Sequence, residues 1–161
     1  MKTIPAATVD EAWQRVNTSS PDQARSLAER MQQEQPFIMV YLLAAEESML
    51  DEEERGSLLM LGVTIWQIMS ASGPPLRQVR DAELETAEEA NIRALEHLDS
   101  GSERASMEAM GRLISAYNQM PLLGAVVTAL MDGHADEPDL APEHVGLALI
   151  HLKTVIDCLD Q

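Results

Sequence analysis

The residues at 46–55 read E-E-S-M-L-D-E-E-E-R, with six carboxylates between two apolar runs. Carboxylates in such numbers can hold a cation or act as general acid and base. The spacing argues otherwise. A di-metal carboxylate bundle needs Glu-x-x-His pairs on facing helices. The histidines are His97, His134, His144 and His151, and the residues three before them are Ala94, Met131, Ala141 and Ala148. A calcium loop alternates oxygen ligands around a central glycine and closes on a glutamate. D-E-E-E-R-G at 51–56 does not follow that order. Asp51 and Glu54 have capping-box spacing, and a helix N-terminus favours negative charge. The stretch is therefore read as a solvated turn that starts a helix, with an ion or partner site as the alternative.

His144, His151 and Cys158 recur every seven residues near the end of the chain. On a helix, two turns separate neighbours by roughly 10 Å. A zinc ion holds its ligands at about 2.0–2.3 Å, so these three cannot share one. They border an apolar face of Val145, Leu149, Leu152, Ile156 and Leu159, and are expected to be structural. A metal at a subunit interface is the alternative. Asp157 and Asp160 beside Cys158 would raise its thiol pKa rather than activate it. No Gly-x-Ser-x-Gly elbow and no phosphate-cradling glycine loop is present. No catalytic residue, metal ligand or cofactor is expected, and the balance leans away from an enzyme.

One pair is less easily dismissed. A helix over 78–98 would carry an apolar stripe of Leu84, Ala87, Leu95 and Leu98. Glu88 and Asn91 fall in the middle of that stripe by helical phase. Burying either without a partner is costly. The plain reading is a satisfied network to Tyr41, Thr64, Gln67 or Tyr117, or to buried water. The sharper reading is a polar pocket, for a small ligand or a metal-dependent activity, built by Glu88, Asn91, Tyr41, Gln67 and Tyr117.

The elements that must position these residues read as helices. Thr8 and Glu11 have capping-box spacing ahead of the stripe Val9, Ala12, Trp13 and Val16. Ser20-Pro21-Asp22-Gln23 is a second start, with proline at the first helical position. Pro36 opens an apolar helix over about 37–49, expected to be buried on most sides. Asp51 starts another over about 52–71, ended by Gly73-Pro74-Pro75. Ser102 caps a helix over about 103–119. Pro121 starts an apolar segment to Met131, an acidic loop spans 133–142, and a last helix covers about 143–159. V-Y-L-L and A-V-V-T could be strands by propensity, but neither alternates nor meets a hairpin turn.

The segments 36–71 and 121–159 could be a duplicated helical hairpin. Gly56, Leu59 and Thr64 match Gly146, Leu149 and Thr154 at an offset of 90, and Pro36 matches Pro121 at 85. The expected fold is thus all-α, a single-domain bundle of about seven to eight helices.

Composition narrows the function. The 161 residues are 45% hydrophobic and 3% aromatic, so the core must be aliphatic, with ten methionines as adaptable filler or as a binding surface. Eleven basic against 27 acidic residues leave a net charge of −16. Nucleic acid and anionic membrane need basic patches, so neither is an expected partner. The longest apolar runs, 37–45 and 58–69, fall short of the roughly 20 residues a membrane span needs. The N-terminus has no apolar segment of a secretory signal. A single cysteine makes a reducing, cytoplasmic setting the default. Together these point to a non-catalytic helical interaction or scaffold protein. Its expected partner is a second copy, with a dimer favoured, or another protein.

Overall fold

A computed structural model describes residues 1–45, 50–99, 115–131 and 140–161, and of 97–99 the backbone alone. Seven α-helices appear among the described residues, and no strand. They are α1 (Ala6–Asn17), α2 (Pro21–Glu34), α3 (Pro36–Leu43), α4 (Glu52–Ala71), α5 (Asp81–Asp99), α6 (Met120–Met131) and α7 (Val145–Leu159). A 3-10 turn, Pro142–His144, leads into α7. The protein is an all-α bundle. Among the described residues, no helix is long and apolar enough to cross a membrane.

Local chemistry explains most of the helix starts. Ser20 caps α2: its hydroxyl accepts from Gln23 N, the Gln23 amide accepts from Ser20 N, and Pro21 takes the first position. Asp51 and Glu54 form the same reciprocal box at α4. Each box satisfies two N–H groups that a helix end leaves without partners. The expected Thr8–Glu11 box is not formed. Instead α1 starts at Ala6 behind Pro5, with no side-chain cap. The Pro5 carbonyl accepts from Thr8 and Val9, so the turn is closed before Thr8 could begin one.

Two helices make the centre. Helix α4 packs against α1, α2, α3 and α7, and α7 packs against α4, α5 and α6. Trp66, Ile65 and Val63 of α4 and Leu152, Val155 and Ile156 of α7 are all fully buried. At Gly62 a methyl group would overlap Leu42 Cδ1, so the missing side chain is what lets α3 lie close on α4. Gln35 holds the segment before α5. Its buried amide donates to the Arg77 carbonyl at 2.9 Å and accepts from Val79 N at 2.8 Å.

Helix α3 departs from expectation twice. It ends at Leu43, with Ala44 as C-cap, rather than running to 49; residues 46–49 lie outside the description. It is also not buried on most sides. Ile38, Met39 and Leu42 face the core, while Phe37, Val40 and Leu43 are exposed. The helix lies between α2, α4 and α5, and among the described residues no other helix packs closely on its remaining face. The expected helix over 103–119 falls mostly outside the described residues, and Tyr117 to Gln119 form a turn rather than its last helical residues. The expected duplication is not shown by these elements: α3 has 8 residues where α6 has 12, and α4 has 20 where α7 has 15.

Candidate functional site

Helix α5 buries Leu84 against α7 and brings Glu88 and Asn91 in behind it, as their phase requires. The Tyr41 hydroxyl donates to Glu88 Oε1 at 2.8 Å and lies 2.7 Å from Nδ1 of His151. That ring nitrogen is also 3.2 Å from Glu88 Oε1. A phenol has one proton, and a carboxylate only accepts. With Tyr41 donating to Glu88, His151 Nδ1 must carry the proton that points at the phenol oxygen. The Tyr41 and His151 rings meet edge to face, with centroids 5.1 Å apart.

Asn91 builds the second half. Its Nδ2 donates to Thr154 Oγ1 at 3.1 Å and to Asp157 Oδ2 at 3.0 Å. Its Oδ1 accepts from Lys153 Nζ at 2.7 Å. Lys153 also donates to Asp157 Oδ2 at 2.7 Å, and its ammonium sits 4.7 Å from the centre of the Tyr117 ring. The Tyr117 hydroxyl donates to Asp157 Oδ1 at 2.7 Å. Both donors of the asparagine amide and its acceptor are thus engaged.

The electrostatics follow the geometry. Burial pushes the Tyr41 phenol well above its ordinary pKa; the hydrogen bond and the charge of Glu88 add to this. Burial and the Asp157 carboxylate do the same to Tyr117. Both phenols stay protonated and serve as donors, which suits a clamp and not a tyrosinate base. Cys158 is pushed up to about 11, by burial first and then by Asp157 and Glu83. It is a half-buried thiol 3.6 Å from the Glu83 carbonyl, and the raised pKa disfavours the thiolate that a nucleophile needs.

Of the residues expected around this site, Tyr41 joins Glu88, and Asn91 and Tyr117 meet at Asp157, in two hydrogen-bonded groups side by side on α7. Gln67 joins neither: it lies half-buried on α4, and its Oε1 makes no hydrogen bond among the described residues. Thr64 donates to the Met60 carbonyl of its own helix at 2.8 Å. The partners not anticipated are His151, Lys153, Thr154 and Asp157, all on α7. Their signal was present. His151 and Thr154 share the α7 face of Ala148, Leu152 and Val155, and polar residues on that face need partners on the facing helix.

The histidine–cysteine column divides in three. Cys158 meets α5, and His151 is buried in the core rather than at its edge. His144 lies on the 3-10 turn, where its Nδ1 is 2.7 Å from Glu54 Oε1. The Ala141 N–H donates to the same oxygen at 2.9 Å, while Glu54 Oε2 accepts from Asp51 N at 3.0 Å. The described part of the acidic stretch is therefore a helix start, and Glu54, its one buried acid, ties α4 to the entry of α7. Glu52 and Glu53 are exposed, and Glu46 and Glu47 lie outside the described residues.

Among the described residues, no group of three His, Cys, Asp or Glu side chains is placed to hold a metal ion. No protein-family model matches the chain, and neither a curated protein nor a solved structure matches it.

Proposed function

We propose that the chain is a non-catalytic helical interaction protein that self-associates through α3. One observation carries this reading. Phe37, Val40 and Leu43 are 43%, 63% and 50% exposed on one face of a helix, P-F-I-M-V-Y-L-L, that has no charged residue. Large apolar side chains contiguous on a surface mark a contact site more often than scattered ones do. Two copies meeting face to face about a two-fold axis would bury the same patch twice. Because α3 is uncharged, the helix itself brings no carboxylates to that contact despite the net charge of −16. The network at Glu88 and Asn91 supports the non-catalytic part, since it engages its own donors and acceptors and braces α3, α5 and α7 behind the patch. The single cysteine fits a reducing, cytoplasmic setting.

Light scattering tests the reading. The wild-type chain should run at twice its 17.7 kDa mass, and Val40→Glu should run as a folded monomer. A wild-type protein that stays monomeric at high concentration would end it.

A further inference from the structure

A groove of about 790 Å³ lies between α1, α4 and α6, away from both the α3 face and the Glu88 network. This is the size of pocket that takes a small organic ligand. Trp13 of α1, Met60 and Leu61 of α4, Leu130 of α6 and Leu140 form its apolar walls. Its polar lining is Asn17, Ser19, Ser57 and Thr64 with Glu53, the one charged residue among the described residues that line it. Along α4 the groove runs from Glu53 to Thr64, about 16 Å at helical rise. Among the described residues it therefore has a carboxylate at one end, and its apolar walls are interrupted only by uncharged polar groups.

Gly56 gives an independent sign. It stands inside α4, where glycine costs roughly 1 kcal/mol against alanine. At Gly62 the packing of Leu42 accounts for that cost. At Gly56 a methyl group would meet nothing within 4 Å, and the residue lines the groove. Gly124 and Gly146 are equally open but do not line it. A bare stretch of helix backbone at the floor of a groove admits a ligand that a larger side chain would exclude.

We propose that this groove binds a small amphiphilic cation, an aliphatic chain with one positively charged head. The chain would lie over Gly56 against Met60, Leu61 and Leu130, and the head would sit at Glu53. An anionic amphiphile is disfavoured there. The carboxylates at 51–54 more than offset the positive end of α4, and Glu54 alone among them is occupied by His144. The net charge of −16 draws in the same sign of ligand.

Three probes below their micelle concentrations test this: decyltrimethylammonium, neutral decanol and anionic decanoate. Trp66 is fully buried, so a saturable change in tryptophan emission reports Trp13. The cation should bind saturably, and decanoate about tenfold more weakly or not at all. Gly56→Leu should fill the groove and weaken the cation at least about tenfold, with Tm unchanged or raised. Met60→Trp, at a partly exposed position, blocks the same space if Gly56→Leu fails to fold. Glu53→Gln should weaken the cation about threefold, as an exposed charge pair allows, and leave decanol unchanged. Equal binding to wild type and blocked variants would show plain adsorption to an acidic surface and overturn the proposal. Decanoate binding as tightly as the cation would overturn it too.

Discussion

The Tyr41 hydroxyl lies 2.7 Å from His151 Nδ1 and 2.8 Å from Glu88, so one phenol joins three helices. Residues 41, 88 and 151 are far apart in the chain and meet only when α3, α5 and α7 pack together. A half-buried hydroxyl with two partners is worth more than a surface bond, since its loss strands both.

Tyr41→Phe should therefore lower stability by about 1–2 kcal/mol in urea denaturation. His151 Nδ1 keeps its 3.2 Å approach to Glu88, which limits the loss. The cycle of Tyr41→Phe with Glu88→Gln should be non-additive by at least about 0.5 kcal/mol. Strict additivity would mean that the two side chains are not coupled.

Asn91→Asp is nearly isosteric but turns a donor into a carboxylate beside Asp157 Oδ2. Lys153 would then face two acids, and Thr154 would lose the donor it accepts from. A cost of about 2 kcal/mol is expected, larger than for Asn91→Gln, which keeps both donors. Equal melting temperatures for Asn91→Asp and wild type would remove Asn91 from the network.

What was legible in the sequence was what depends on near neighbours or on helical phase. Ser20 with Gln23, and Asp51 with Glu54, set their helix starts within four residues. Glu88 and Asn91 betrayed themselves by lying in an apolar stripe. The exposed face of α3 was not legible, because eight apolar residues in a row have no phase to show which side meets solvent. The choice of Gln67 over His151 and Thr154 failed for a related reason. Phase says that a polar residue turns inward, but only the packing of α7 on α5 says whom it meets.

Gly56 and Gly62, six residues apart on α4, should respond oppositely to alanine. At Gly56 the methyl group meets open space, and removing glycine from a helix interior should add about 0.5–1 kcal/mol. At Gly62 it overlaps Leu42 Cδ1, and forcing that fully buried side chain to shift should cost about 1–3 kcal/mol. Thermal melts of the two variants check this, and the prediction fails if both move the same way.

His144 and Glu54 make part of the stability depend on pH. Burial raises the Glu54 carboxyl pKa, but the donors at Ala141, His144 and Asp51 outweigh it, and the net value falls below the ordinary 4.5. Its contribution is present above 4.5 and is lost as pH falls through the lowered value. The hydrogen bond to Glu54 raises His144 above its ordinary 6.5. Its contribution is complete below 6.5 and is lost as pH rises through the raised value. The pair therefore stabilises most between 4.5 and 6.5. The stability difference between wild type and His144→Gln should be largest in that window and shrink toward both pH 3 and pH 9. Contributions common to both proteins cancel in the difference. A difference that stays flat from pH 5 to pH 9 would show that the imidazolium contributes nothing through Glu54.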